Sequence, residues 1–297
     1  MKIIKGEKEV KSSIILGHEF SGDVVEGGKN VNYLSEGDRV AIYPIIACGH
    51  CYFCSLGKRN RCLKRKTMGI DVNGGFAQYA LIPEEAVKLG HILKLPKDLS
   101  YEEGALVEPL ATVLNSLETL NLSYGDSLLI IGSGPMGLMH VILGKRLSKM
   151  IIVSDPLEER LNLARSFGAD ITVKPEDLTK EIKNVTDGLG VDKVVVTVAS
   201  SKAVEQALDC VKSQGKINLF AGGKGLISNL DLNKVHYKEL TLLGTQNATF
   251  DQYKRSLALA PQLKLRNLIT HEFLLEEYSK AFELKGDLKA LKVILKP

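Results

Sequence analysis

Residues 127–244 predict an α/β domain on a doubly wound parallel sheet, and residues 1–99 predict a smaller β-rich domain ahead of it. Three observations carry this reading. An apolar run at 128–131 leads directly into Gly132-Ser133-Gly134-Pro135-Met136-Gly137, a G-x-G-x-x-G spacing where a strand would hand over to a helix. Strand-like and helix-like segments then alternate as far as Gly244. Before Ser100, by contrast, the chain reads as short β-type runs and turns. At 297 residues, 44% of them hydrophobic and 25% charged, the chain is long enough for two cores and carries no compositional sign of disorder.

In chain order, β-type runs at 14–16, 24–25, Arg39–Ile42 and 78–82 are separated by Gly-Gly, Glu-Gly-Asp and Asn-Gly-Gly turn signals. Ser100-Tyr-Glu-Glu103 is a capping box, and 105–120 continues at helical spacing. Strands are expected at 128–131, 151–154, 171–173, 193–198, 216–220 and 240–243, with helices near 135–147, 156–167, 176–186 and 201–213. Strands joined mainly by helices pair in parallel. The tail carries helical patterns near 251–260 and 275–285 and a strand-like run at 291–295, with no internal repeat or low-complexity linker anywhere.

Each glycine of the motif has a distinct use. Gly132 permits the tight turn, Gly134 lets the backbone approach a pyrophosphate, and Gly137 lets the helix pack on its strand. The helix opening at Pro135 and Met136 turns its free N–H groups and positive dipole end toward phosphates. A glycine-rich turn alone would be weak evidence. Here a second apolar run ends in Asp155 about twenty residues on, where an acid takes the ribose hydroxyls of a Rossmann-bound dinucleotide. That acid favours NAD over NADP, with Arg160 close enough in sequence to modify the preference.

The net charge of +4 is spread over 39 basic and 35 acidic residues, which gives no electrostatic footprint for nucleic acid. The basic stretch Lys58-Arg59-Asn60-Arg61 and Lys64-Arg65-Lys66 reads as a solvated loop rather than a phosphate patch. No run approaches the roughly 20 apolar residues of a membrane helix, and no signal-peptide core is visible, so no membrane partner and a cytoplasmic location are expected.

Cys48, Cys51, Cys54 and Cys62 are spaced C-x2-C-x2-C-x7-C. Four thiolates in one loop close a tetrahedron around Zn²⁺ with no open position, a structural site. An iron–sulfur cluster is the rival, although the last gap is longer than in that motif and Cys62 precedes Leu rather than Pro. His50 reads as a bystander and Cys210 as apolar packing. His18-Glu19 follows an apolar run; alone, such a pair is more often a surface feature than a ligand. Glu108, in Glu108-Pro109-Leu110, puts a carboxylate on an otherwise apolar helix, where it needs a cation or a hydrogen-bond partner.

Taken together, Gly17-His18-Glu19, Gly37-Asp38-Arg39-Val40, the cysteine loop, Gly74-Gly75-Phe76-Ala77, Glu108-Pro109-Leu110, the glycine motif and His236-Tyr237-Lys238-Glu239 resemble the zinc-containing medium-chain dehydrogenases nearly end to end. The polyol (sorbitol-type) and threonine dehydrogenases are the most similar members. The resemblance implies a GroES-like β-barrel catalytic domain over 1–108, completed by 246–297, and a Rossmann domain over 109–245. It implies a catalytic zinc held by His18 and Glu108, with Glu19 ligating or holding a water, and hydride transfer from a secondary alcohol or polyol to NAD. Threonine dehydrogenase is the alternative within the family. It further implies a homodimer or homotetramer paired through the strand at 240–244.

One departure stands out. The family's Cys-Gly-Thr/Ser-Asp run, whose Cys ligates the catalytic zinc, would precede Met1, so an N-terminally truncated barrel is expected, and this chain's own cysteines offer no substitute thiolate. A second alternative follows: a catalytically impaired NAD-binding protein carrying only the structural zinc. Lys2 also stands where many relatives carry a relay His, and Glu272 where polyol enzymes often carry Arg.

Overall fold

The computed structural model describes residues 13–223, 230–284 and 290–297; the segment 1–6, with Lys2, lies outside them. The chain divides into two compact units, Met1–Thr112 with Asn247–Pro297, and Val113–Gln246.

The first unit begins with β1 (Ser21–Asp23), β2 (Arg39–Ile42), β3 (Ile45–Ile46), α1 (Tyr52–Ser55), β4 (Lys66–Thr67), α2 (Glu84–Lys88) and β5 (Ile92–Lys94). Strands β1, β2 and β5 form an antiparallel sheet in that order, and β3 pairs with β4. Val40, Ile42, Ile46, Met68, Ala86 and Ile92 are its core. The capping box at Ser100 is formed in both directions and opens α3 (Tyr101–Ala105). Leu106 ends that helix, and α4 (Val107–Thr119) follows, with Pro109 in its first turn, where a missing N–H is not needed by the helix.

Two expected strands are absent here and a third is shifted. Residues 14–16 send their backbone bonds to the glycine segment instead: Gly74 N–H donates to Ile15 O and Phe76 N–H to Leu16 O, beside Gly17 at φ 96°. The strand expected at 24–25 lies at Ser21–Asp23, because its ladder with β2 ends where Val24 meets Asp38. Residues 78–82 enter no ladder, and Leu81 is 89% exposed; without a neighbouring strand, alternation alone does not make one. No closed barrel therefore exists among the described residues.

In the second unit, β6 (Ser127–Ile131), α5 (Pro135–Gly144), β7 (Met150–Ser154), α6 (Glu158–Ser166), β8 (Ile171–Val173), α7 (Leu178–Val185), β9 (Val191–Val196), α8 (Ser201–Cys210), β10 (Val211–Leu219), α9 (Leu232–Tyr237) and β11 (Thr241–Gly244) alternate as the sequence predicts, except that α9 is a helix the sequence reading did not place. The parallel sheet runs β11-β10-β9-β6-β7-β8, the Rossmann order. Every residue of β6 is buried, as a central parallel strand requires. Helix α8 ends three residues before its expected end, since Val211 is already extended and paired with Val191.

The tail completes the first unit with α10 (Phe250–Leu259), β12 (Ile269–Leu274), α11 (Tyr278–Leu284) and β13 (Lys292–Lys296), β12 and β13 pairing in parallel. It is tied to the β2 region by Tyr253 OH donating to Ile42 O at 3.0 Å and Tyr43 OH donating to Ala248 O at 2.6 Å. No helix among the described residues is long and apolar enough to cross a membrane.

Candidate metal centres and dinucleotide site

The four cysteines converge on one point. Their sulfurs lie within 4.8 Å of one another, with Cys51–Cys54 at 3.6 Å, Cys51–Cys62 at 3.9 Å and Cys48–Cys54 at 4.0 Å. A tetrahedron with zinc–sulfur bonds of roughly 2.3 Å has edges of roughly 3.8 Å, so the group is already sized for that ion. Backbone N–H groups point at the sulfurs: Cys48 N–H and Lys64 N–H donate to Cys62 Sγ. Those of Leu63 and Cys54 pull the Cys51 thiol down to about 6. Burial pushes the Cys54 thiol up to about 12, so a thiolate there calls for a cation beside it. His50 stays outside the group, its Nδ1 against Cys48 O. Cys210 is buried in the second unit's core and its thiol is pushed up to about 11, consistent with inert packing.

His18, Glu19 and Glu108 form the second group, one ligand atom of each within 4.8 Å of the others and all three half-buried. The His18 loop is held by close glycine contacts. A Cβ on Gly74 would lie 2.0 Å from Gly17 O and one on Gly69 2.3 Å from it, so only glycines let these turns meet. Glu108 comes from the first turn of α4, beside Glu19. Burial first, and the Glu19 carboxylate second, push its carboxyl up to about 8, while Lys292 and Thr112 act in the opposite direction. Two acids facing each other in a half-buried place fit a cation, and one nitrogen with two oxygens fits zinc with a position left open. None of the chain's five cysteines adds a thiolate here.

Lys292 of β13 was not singled out by sequence. Its ammonium bonds Glu19 Oε2 with only 15% of its side chain exposed. Glu272 pairs with Arg266 and Lys296, which also reaches Glu102, so it belongs to a salt-bridge cluster between α3 and the β12–β13 pair. Lys238 donates to Leu208 O and Val211 O and so serves the end of α8.

The glycine motif has the geometry its spacing implies. Gly132 takes φ 100°, Gly134 is the N-cap of α5, and a Cβ on Gly137 would fall 1.9 Å from Gly132 O. Asp155, 5% exposed, accepts from Ser133 N–H at 2.8 Å and from Leu157 N–H at 3.0 Å, so it braces the turn as well as standing at the end of β7. A Cβ on Gly134 would meet Arg160 Nη1 at 3.3 Å, which puts that guanidinium beside the turn. Beneath α5 lies a polar chain that sequence reading missed, because His140 sits inside an apolar helix. His140 Nδ1 meets Met136 O at 2.7 Å and Nε2 meets Ser116 Oγ at 2.9 Å. Asn218 Nδ2 donates to Ser116 Oγ at 2.7 Å and to Thr245 Oγ1 at 3.0 Å. A carbonyl can only accept, so Nδ1 carries the proton and Ser116 donates to Nε2.

Comparison with known proteins settles the family. Residues 1–96 match the alcohol dehydrogenase GroES-like domain and residues 135–262 the zinc-binding dehydrogenase domain. An L-threonine 3-dehydrogenase of Pyrococcus furiosus is 34% identical over 296 residues, covering 97% of this chain and 83% of that protein. The chain belongs to the zinc-binding alcohol dehydrogenase family. A sorbitol dehydrogenase of Halalkalibacterium halodurans is 30% identical, with 99% of this chain and 86% of that one covered. Among solved structures, a zinc-binding dehydrogenase from Sinorhizobium meliloti 1021, bound to NADP, superposes with a TM-score of 0.89 at 26% identity over 100% of this chain and 87% of that one.

Proposed function

We propose that this zinc-binding dehydrogenase oxidises a secondary alcohol or polyol, with NAD as hydride acceptor. The observation that carries the reading is the pairing, in one unit, of a closed four-sulfur group with an open nitrogen-and-carboxylate group. On this reading, zinc at His18, Glu19 and Glu108 supplies polarisation that lowers an alcohol's pKa, and NAD supplies the hydride acceptor. The chain's own residues do the rest. His18 offers a neutral nitrogen, Glu19 and Glu108 offer charge, and the cysteine group keeps the loop at 48–62 folded. Residues 132–137 cradle the pyrophosphate, and Asp155 accepts from the ribose hydroxyls and repels a 2′-phosphate. The first unit serves as catalytic domain and the second as dinucleotide domain. Pairing through β11 gives a dimer or a tetramer, and the protein works in the cytoplasm.

A second substrate, L-threonine, is favoured by the 34% identity to an L-threonine 3-dehydrogenase. A third reading, dinucleotide binding without turnover, follows from the lack of a thiolate at the His18 group. The test is zinc per chain, measured together with NADH formation from secondary alcohols, polyols and L-threonine. Two zinc ions with alcohol-dependent NADH support oxidation, and the preferred substrate separates polyol from threonine. One zinc with silent NAD binding overturns it in favour of the third reading.

A further inference from the structure

The group at His18 contains a cation of its own. Lys292 lies on β13 in register with Ile269, and Thr270 clamps the backbone there: its hydroxyl accepts from Leu291 N–H at 3.1 Å and donates to Lys292 O at 3.3 Å. The side chain, 15% exposed, ends with Nζ on Glu19 Oε2. Glu19 is one of the three residues whose ligand atoms lie within 4.8 Å of one another. An ion held by this group would therefore share the Glu19 carboxylate with the Lys292 ammonium.

We propose that Lys292 is a positioning residue that acts as the group's resident counter-cation, holding Glu19 when metal is absent and setting how tightly metal is held. This rests on the reading of the His18 group as a metal site. The physical reasons are two. An ammonium beside a divalent ion is repelled by it, and a carboxylate whose Oε2 is engaged by Lys292 has its charge partly neutralised and offers a metal chiefly its other oxygen, which makes it a weaker ligand. The same contact has a benefit in the metal-free protein: it sets a positive charge against Glu19 where that carboxylate and Glu108 come together. Lys292 thus trades metal affinity for a fold that tolerates an empty site. It also gives Glu19 two alternative partners, so that the carboxylate can leave the metal without becoming an unpaired charge.

The test is a Co²⁺ titration of the full chain with zinc already in the cysteine group, read by the visible d–d absorption of the cobalt. Lys292→Met and Lys292→Gln are run in parallel, so that a folding failure of one leaves the other. Removing the ammonium is expected to tighten Co²⁺ binding by at least about tenfold, and Lys292→Arg to stay within about threefold of the parent. Adding Glu19→Gln to Lys292→Met is expected to remove most of the gain, because the competition acts through that carboxylate. Unchanged or weaker binding in both neutral variants overturns the role of Lys292 while leaving the metal site standing. Absence of Co²⁺ binding in every variant, with the cysteine group loaded, overturns the metal reading itself and this inference with it.

Discussion

Lowering the pH should weaken the second unit through one buried ring. His140 is fully buried, stacked edge-on against Phe220 at 4.8 Å and bonded at both nitrogens. Burial pulls its pKa from 6.5 down to about 4, against a smaller opposite pull from the Met136 carbonyl. The sign follows from proton counting. Between pH 6.5 and about 4 the unfolded chain binds a proton at His140 that the folded chain does not, so the unfolding free energy falls as pH falls. The stabilisation is fully present above 6.5 and is lost by about 4, below which this group has no further effect. A gap of about two and a half pH units corresponds to about 3 kcal/mol, a large share of the 5 to 15 kcal/mol typical of a whole protein. Hydrogen exchange of the β6 amides, corrected for intrinsic rates, reads the opening free energy of this unit. The comparison is between the parent and His140→Gln, which keeps a donor and an acceptor but does not titrate in this range. Other titrating groups, Glu108 among them, act in both proteins and cancel in the difference. The parent should lose about 3 kcal/mol relative to the variant between pH 7.5 and 4. Parallel pH curves for the two would show that the ring is already charged, or is not buried, and would refute the reasoning.

The remaining expectations concern the motif glycine, the cysteine group, the acid of β7 and assembly. Gly137→Ala puts a Cβ where Gly132 O lies 1.9 Å away, so the turn must shift, and calorimetry should show NAD binding weakened by at least about tenfold; parent-like affinity would count against the cradle. Cys51→Ser should lose one zinc per chain and several degrees of melting temperature, while NAD binding persists; full zinc content with unchanged melting would remove Cys51 from the ligand set. Asp155→Ser should narrow the preference for NAD over NADP and, by removing the acceptor of Ser133 N–H, destabilise the second unit by about 1 to 3 kcal/mol; a parent enzyme that turns over NADP as well as NAD would refute the assignment. Sedimentation at micromolar concentration should show a dimer or tetramer, and placing Lys at Leu242 of β11 should shift it toward monomer; a strictly monomeric parent would contradict pairing through that edge.

How much of this was legible in the sequence depends on how far apart the interacting residues lie. The glycine motif and the cysteine loop are written in consecutive residues, and their chemistry requires those spacings, so both were readable without a fold. The alternation of strands and helices from β6 to β11 was readable for the same reason, since each strand carries its own apolar run. The runs at 14–16 and 78–82 misled because a strand exists only with a partner, and the partner of Ile15 and Leu16 is the glycine turn at Gly74 to Phe76. His140 escaped notice because its partners, Ser116 and Asn218, come from α4 and β10. Lys292 lies 273 positions from Glu19, and a lysine in a short tail strand carries no local sign of its partner.

Glu108 shows where such reading stops. A carboxylate on an apolar helix must find a partner, and the sequence was enough to say so. The family resemblance already brought Glu19 to the same place; what the sequence did not reveal is that burial first, and then this second acid, raise the Glu108 pKa rather than lowering it. The two acids arrive from a glycine-bounded loop and from the first turn of α4, and Lys292 reaches one of them from a third element, β13. A structural salt bridge would need only one acid and one base. Two acids, one imidazole and one lysine meeting in a half-buried place are more than a salt bridge requires, and this supports the reading of the group, proposed above, as a site for a divalent ion.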